Sequence, residues 1–236
     1  MQLFYNQNMT ETATSFVFDK EESKHIIKVL RKKEGDILYV TNGFGYLFTT
    51  EITIASDNKC TVKINSFEKQ ERPKFHLHLA VAPTKMNERY EWFLEKATEI
   101  GIQEITPIIC EHSERKVIKT DRFQKIVESA MKQSLHYYLP KLNEPIAFKD
   151  FIKQECIGQK FIAHCEETDK KSLKNELKTN QNVTILIGPE GDFSVKEIDF
   201  AIQNNYIPVS LGNTRLRTET AAVVACHSVV LTNENN

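Results

Sequence analysis

Residues 183–187, Val-Thr-Ile-Leu-Ile, form an unbroken run of β-branched residues and Leu. Such a run predicts a strand buried on both faces, the kind found in parallel sheets. It stops at Gly188-Pro189, where Gly can take positive φ and Pro has no N–H for a ladder. Ser194 followed three residues later by Glu197 is a capping box, so a helix starts there. The pattern then repeats. Residues 209–212 read as a short strand ending in Gly212, and an apolar helix covers residues 221–231, with Thr218 or Thr220 able to cap it. Two successive strands therefore end in Gly, and each loop leads to a helix N-terminus that presents bare backbone amides. In parallel sheets such loops share one edge, where ligands bind.

Earlier in the chain the period is two. Residues 37–41, 46–54 and 60–67 read as strands separated by the turns Asn42-Gly43-Phe44-Gly45 and Ser56-Asp57-Asn58-Lys59, a meander typical of small β-barrels. A short helix over residues 20–33 precedes it, with Ile26, Ile27, Val29 and Leu30 toward the core. A charged stretch, residues 68–73, ends in Pro73 and reads as a linker. Beyond it strands alternate with helices. Strands are predicted over 75–82, 105–109 and 160–166, and helices over 87–100, 121–138 and 172–177. Asn87 caps the first of these helices and Gly101 ends it. This alternation argues a parallel α/β sheet with helices on both faces. The domain boundaries expected are 1–72 and 73–236.

Composition narrows the partners. The chain has 236 residues, 40% hydrophobic and 27% charged, with a formal net charge of −1. Any nucleic-acid contact must then come from local patches. Residues 1–72 hold 10 Lys plus Arg and 10 Asp plus Glu, yet within residues 24–34 Lys24, Lys28, Arg31, Lys32 and Lys33 stand against a single acid, Glu34. Such a patch can contact phosphates without reading sequence. The five cysteines form no CxxC pair, which suits a reduced, cytoplasmic protein without zinc. No apolar run approaches 18 residues, so no membrane span is expected. Neither a GxxxxGK[ST] nor a GxGxxG motif occurs.

The segments Gly188-Pro189-Glu190-Gly191-Asp192-Phe193-Ser194 and Leu211-Gly212-Asn213-Thr214-Arg215-Leu216-Arg217-Thr218-Glu219-Thr220-Ala221 together resemble the SPOUT superfamily of knotted methyltransferases, and within it the RsmE family. Lys85-Met86-Asn87-Glu88-Arg89, Lys96-Ala97-Thr98-Glu99-Ile100-Gly101 and the stretch from His25 to Asp36 extend the resemblance over nearly the whole chain. In the second motif the family's usual form has Arg two places after the Gly; here Thr214 holds that place and Arg215 follows. The resemblance implies an N-terminal PUA-like β-barrel that helps hold RNA and a SPOUT domain with a C-terminal trefoil knot. It implies a homodimer, with the apolar residues Ala222, Val223, Ala225, Val229 and Val230 of the last helix able to serve as interface. It also implies S-adenosylmethionine-dependent methylation of a uridine at ring nitrogen 3 in 16S ribosomal RNA, on the free RNA or the 30S particle.

Candidate residues follow from that chemistry. Leu186, Ile187, Leu211 and Leu216 would sandwich adenine, and Gly188, Gly191 and Gly212 would permit close backbone approach. Glu190 would orient the cofactor or brace its loop; Thr218 and His164 would line the same edge. Arg217 would stabilise the imide anion of uracil, and Glu219 would accept its proton or fix Arg217. Lys85 and Arg89 are candidates for RNA phosphates beside the cluster at 24–33. No metal is expected: His76 and His78 share a strand face, far from any Cys or acid motif. Two other readings fit parts of the chain, a nucleotide-binding enzyme on a doubly wound sheet and a non-catalytic RNA-binding module.

Overall fold

The computed structural model describes residues 1–166 and 169–234. It comprises two compact units, Met1–Arg72 with Met131–Leu139, and Pro73–Ala130 with Pro140–Asn236. Nothing in the sequence signals that Met131–Leu139 belongs with the first unit.

The first unit is built on a five-stranded sheet. Its strands are β1 (Leu3–Tyr5), β2 (Ser15–Val17), β3 (Ile37–Thr41), β4 (Tyr46–Ile54) and β5 (Thr61–Lys69), in the order β1-β3-β4-β5-β2. β1 runs parallel to β3 and the other pairs are antiparallel. β3 and β4 have the bounds that alternation predicts. β1 and β2 escape that pattern because three residues are too few to show a period. They form the two edges, so the ladder does not close into the barrel expected from the meander. Phe4, Phe18, Ile26, Leu38, Val40, Phe48 and Val62 fill the core.

The helix predicted over 20–33 is shorter. Asp19 caps α1 (Lys20–Lys24), accepting from the Glu22 amide at 2.8 Å, and a π-helical turn, His25–Val29, continues it. Arg31 then sits at φ 56°, in the left-handed region, and ends it. The wide π turn rotates the apolar stripe out of its 3.6-residue phase. Ile26 is buried, but Val29, expected in the core, is 67% exposed.

The second unit centres on a parallel sheet. Its strands are β6 (Leu77–Val81), β7 (Glu104–Ile109), β8 (Lys141–Leu142), β9 (Ile146–Ala147), β10 (Gln159–Ala163), β11 (Lys171–Ser172), β12 (Val183–Ile187) and β13 (Ile207–Ser210). The order is β11-β13-β10-β12-β6-β7-β8, with β9 beside β7, and every pair is parallel. β12 lies between β10 and β6, and all five of its residues are buried, as its composition demands. Helices α2 (Asn87–Ile100), α3 (Thr120–Gln133), α4 (Phe148–Ile152), α5 (Leu173–Glu176), α6 (Val195–Gln203) and α7 (Thr218–Asn233) complete the order. Two caps differ from the sequence expectation. Asn87 is the first residue of α2 rather than its cap, and Gly101 ends that helix at φ 108°. α7 has Arg217 at its cap position without a side-chain bond, while Thr218 is its first residue. The capping box of α6 is complete: Glu197 N–H donates to Ser194 Oγ at 3.3 Å and Ser194 N–H to Glu197 Oε2 at 3.0 Å.

α7 packs on α2, β6 and β12, which buries Ala222, Ala225 and Val229 inside the unit. These three are therefore not available to a second copy; Val223 and Val230 remain half-exposed. His76 and His78 have structural partners. His76 Nε2 lies 2.8 Å from Glu104 Oε2, and His78 Nε2 lies 2.7 Å from Thr106 Oγ1.

Candidate active site

All strand C-termini of a parallel sheet lie along one edge. At that edge the loops after β10, β12 and β13 enclose a cleft of about 290 Å3. Ala163 and Cys165 border it from the first loop, Ile187 to Glu190 and Asp192 from the second, and Arg215 to Thr218 from the third, with Ala221 of α7.

Named hydrogen bonds hold the loops to each other. Thr218 Oγ1 donates to the Gly188 carbonyl at 3.0 Å, tying the third loop to the second. The Cys165 amide donates to Asp192 Oδ2 at 2.7 Å, tying the first to the second. The loop after β6 joins them: the Lys85 amide donates to Glu190 Oε1 at 2.9 Å, and the Arg115 guanidinium donates to the Lys85 carbonyl at 2.7 and 3.2 Å. Of the carboxylate oxygens buried without a hydrogen-bond partner among the described residues, two belong to residues at this edge, Glu190 Oε2 and Glu219 Oε2. A buried charge normally finds its donor in protein, water or ligand.

The residues expected to hold a cofactor divide into two sets. Ile187, Gly188, Glu190, Leu216 and Thr218 border the cleft, as does Arg217. Leu186 does not: it is fully buried in the core with Ala80, Ile108 and Phe193, because alternation along β12 turns it away. Leu211 and Gly212 precede the bordering part of their loop, and Gly212 has open space around it at φ 138°. Gly188 needs no positive φ. It is Gly because a Cβ there would come within 3.1 Å of the Phe193 ring. Gly191 faces His112, whose Cβ would lie 3.1 Å from an added methyl group, so its space does not belong to the cleft. His164 is only 7% exposed, between two residues that border the cleft, and neither ring nitrogen has a partner among the described residues. Burial, followed by the nearby Lys170 charge, lowers its pKa.

Comparison with known proteins decides the family. An RNA methyltransferase domain model matches residues 70–230, and an RNA methyltransferase PUA domain model matches residues 18–65. The chain is 36% identical to the ribosomal RNA small subunit methyltransferase E of Buchnera aphidicola over 89% of this chain and 85% of that one. The chain belongs to the RsmE family. Among solved structures it superposes on the probable rRNA-methyltransferase of Porphyromonas gingivalis with TM-score 0.92 and 38% identity, covering 99% and 98% of the two chains. It also superposes on a Legionella pneumophila protein solved with bound cofactor SAM, with TM-score 0.88 and 28% identity, covering 98% and 97%.

For an RsmE chain, Arg217 and Glu219 are of interest as a pair, but the structure separates them. Glu219 is 7% exposed, and its Oε1 lies 3.9 Å from Arg89 Nε. Arg217 is exposed and forms no ion pair with Glu219. The phosphate candidates are also partly engaged. Lys28 Nζ lies 3.3 Å from Asp57 Oδ2, an acid far in sequence from the cluster. Lys85 Nζ lies 2.8 Å from Glu114 Oε2, which raises its pKa. Lys24, Arg31 and Lys33 are exposed, and Lys32 is half-buried. Among the described residues no group of three or more His, Cys, Asp or Glu could hold a metal ion, and no helix is long and apolar enough to cross a membrane.

Sequence reasoning missed Asp192 and Arg215, while Cys165 lies in the loop 164–166 expected along this edge. Asp192 had a signal: Asp tolerates the left-handed region, and it sits there at φ 62°, directly after Gly191. Cys165 enters through a backbone amide that any residue but Pro would supply, so its position in that loop matters and its side chain does not.

Proposed function

We propose that this chain transfers the methyl group of S-adenosylmethionine to ring nitrogen 3 of a uridine in 16S ribosomal RNA of the small subunit. The observation that carries this reading is the Thr218–Gly188 hydrogen bond, which closes two strand-end loops around one cleft. The cleft suits the cofactor. Ile187, Leu216, Ala163 and Ala221 offer apolar walls, loop backbone offers donors and acceptors, and Glu190 offers a buried carboxylate oxygen for an ammonium or hydroxyl. When bound, S-adenosylmethionine supplies an electrophilic methyl on a sulfonium.

The chain must supply the deprotonated imide. Each unit by which the imide pKa exceeds the working pH costs about 1.4 kcal/mol. Arg217, exposed at the cleft, stabilises charge on the uracil carbonyl oxygens. Glu219 accepts the N3 proton, since its buried Oε2 has no other partner among the described residues. In the first unit Lys24, Lys28, Arg31, Lys32 and Lys33 contact RNA phosphates, with Lys85 and Arg89 doing so in the second. Residues 1–72 thus serve RNA holding and 73–236 catalysis. The placement of β12 between strands laid down earlier supports the trefoil knot that the family resemblance implies. The half-exposed Val223 and Val230 leave a stripe on α7 for a homodimer, and a cytoplasmic location fits the substrate.

The test is methyl transfer from labelled S-adenosylmethionine to 30S particles of a strain lacking this protein, with nucleosides resolved by mass spectrometry. Label on N3-methyluridine is expected. Label absent, or on carbon 5 or a ribose oxygen, overturns the reading.

A further inference from the structure

Beside the cofactor cleft lies a second hollow, of about 570 Å3, between α2 and the start of α7. Arg215, Leu216 and Arg217 border both spaces, so ligands in the two would meet across this short segment. Resting on the methyl-transfer reading above, we propose that this hollow seats the target nucleotide, with the uracil ring on the Trp92 indole, its phosphate on Arg89 and Arg215, and its N3–H donated to Glu219.

Three features converge on that ligand. Trp92 borders the hollow and is 43% exposed, so a face of its indole is open to a ligand there. An indole is a stacking surface for a base. Arg89, Arg215 and Arg217 face two carboxylates, Glu88 and Glu219, leaving the hollow net positive and suited to a phosphate. Glu219 borders the same hollow, and its buried Oε2 has no partner among the described residues. The imide N–H of uracil supplies the missing donor. Cytosine presents a lone pair at the same ring position and would set it against a carboxylate. Glu219 therefore selects uracil over cytosine before any chemistry occurs, because a site built for a donor rejects an analogue lacking it.

Trp92 is the sole tryptophan of the chain, so its emission reports this hollow directly. Uridine 5′-monophosphate and cytidine 5′-monophosphate serve as probes. Saturable quenching by the uridine nucleotide is expected, with at least tenfold weaker binding of the cytidine nucleotide, and Glu219→Gln should collapse that preference, since an amide can pair with either base. On 30S particles, Trp92→Ala should lower kcat/KM for the particle at least tenfold while leaving S-adenosylmethionine affinity unchanged, and Trp92→Phe should restore most of it. Equal quenching by both nucleotides, quenching by neither, or a folded Trp92→Ala that methylates normally overturns the proposal. Emission that changes with protein concentration alone and not with nucleotide also overturns it, and gives the hollow to a second copy. A wild-type chain that prefers the uridine nucleotide yet methylates no particle would instead defeat the methyl-transfer reading and leave the hollow assigned.

Discussion

The hydroxyl of Thr218, at the first turn of α7, donates a 3.0 Å hydrogen bond to the carbonyl of Gly188, at the end of β12. Thirty residues apart in sequence, the two loops become walls of one cleft through this contact. Thr218 is buried, so Thr218→Val keeps the shape and leaves the Gly188 carbonyl without its donor. A net loss of about 0.5–1.5 kcal/mol is expected from one such bond. S-adenosylmethionine affinity should fall roughly three- to tenfold, while Thr218→Ser retains it. Titration calorimetry reads the affinity and a circular-dichroism melt confirms the fold. Unchanged affinity in a folded Thr218→Val would remove this bond from the account of the cleft.

The same pair shows what a sequence can and cannot carry. β12 was legible because five buried apolar residues admit few other readings, and the Ser194–Glu197 box because its two bonds are local. Thr218 and Thr220 are both candidates for the cap from sequence, since a Thr before an apolar run usually caps it; the Thr218 hydroxyl instead satisfies a carbonyl from a distant loop. Leu186 and Ile187 were equally plausible as cleft walls, and only the pleat decides that Ile187 faces the cleft and Leu186 the core. The edge strands β1 and β2 and the open ladder they leave depend on pairing with β3 and β5, which no three-residue window reveals. The Arg89–Glu219 approach, from α2 to α7, is likewise a product of helix packing.

Gly188 and Gly191 should respond differently to an added methyl. At Gly188 a Cβ comes within 3.1 Å of the Phe193 ring, which is buried and packs at 5.4 Å on Phe148. Gly188→Ala should destabilise the fold by about 1–3 kcal/mol through overpacking. Adding Phe193→Leu should relieve the ring's share of that, while the Phe193 amide nitrogen, at 3.2 Å, stays in place. At Gly191 the contact is with the Cβ of His112, an exposed residue in the loop after β7, so a shift of a few tenths of an ångström in that loop accommodates the methyl. Gly191→Ala should leave stability nearly unchanged. Urea unfolding of the three variants checks this, and equal losses at both glycines would contradict it.

The capping box of α6 should be asymmetric. Ser194→Ala removes one acceptor and should cost about 1 kcal/mol. Glu197 does more: besides the Ser194 amide, its Oε1 accepts from the Glu111 amide at 2.9 Å, in the loop after β7. Glu197→Ala leaves the buried Ser194 amide and the part-buried Glu111 amide without partners and should cost about 2–3 kcal/mol. Thermal melts of both variants decide the order, and a larger loss for Ser194→Ala would refute it.

His78 makes the fold acid-sensitive. Its ring packs edge-on to Phe151 at 5.3 Å, and Nε2 sits 2.7 Å from Thr106 Oγ1. Burial, opposed by the Glu104 charge and aided by His76 and Lys141, lowers its pKa to about 4. In the unfolded chain a histidine titrates near 6.5, so between about pH 6.5 and 4 the unfolded state binds the extra proton. Stability contributed by the neutral ring is complete above pH 6.5 and declines as the pH falls through that window, at up to about 1.4 kcal/mol per pH unit. Glu104 acts lower down. Its hydrogen bond with His76 holds its pKa well below the usual carboxylate range, so its contribution fades only below the ordinary carboxylate pKa, about 4.5. Between pH 7 and pH 5 the loss therefore reads His78 apart from Glu104. Wild-type chain should lose about 1–2 kcal/mol more over that interval than His78→Gln, which keeps a partner for Thr106 but cannot titrate. Urea unfolding at the two pH values measures the difference, and parallel losses in both proteins would show that His78 is not the acid-sensitive group.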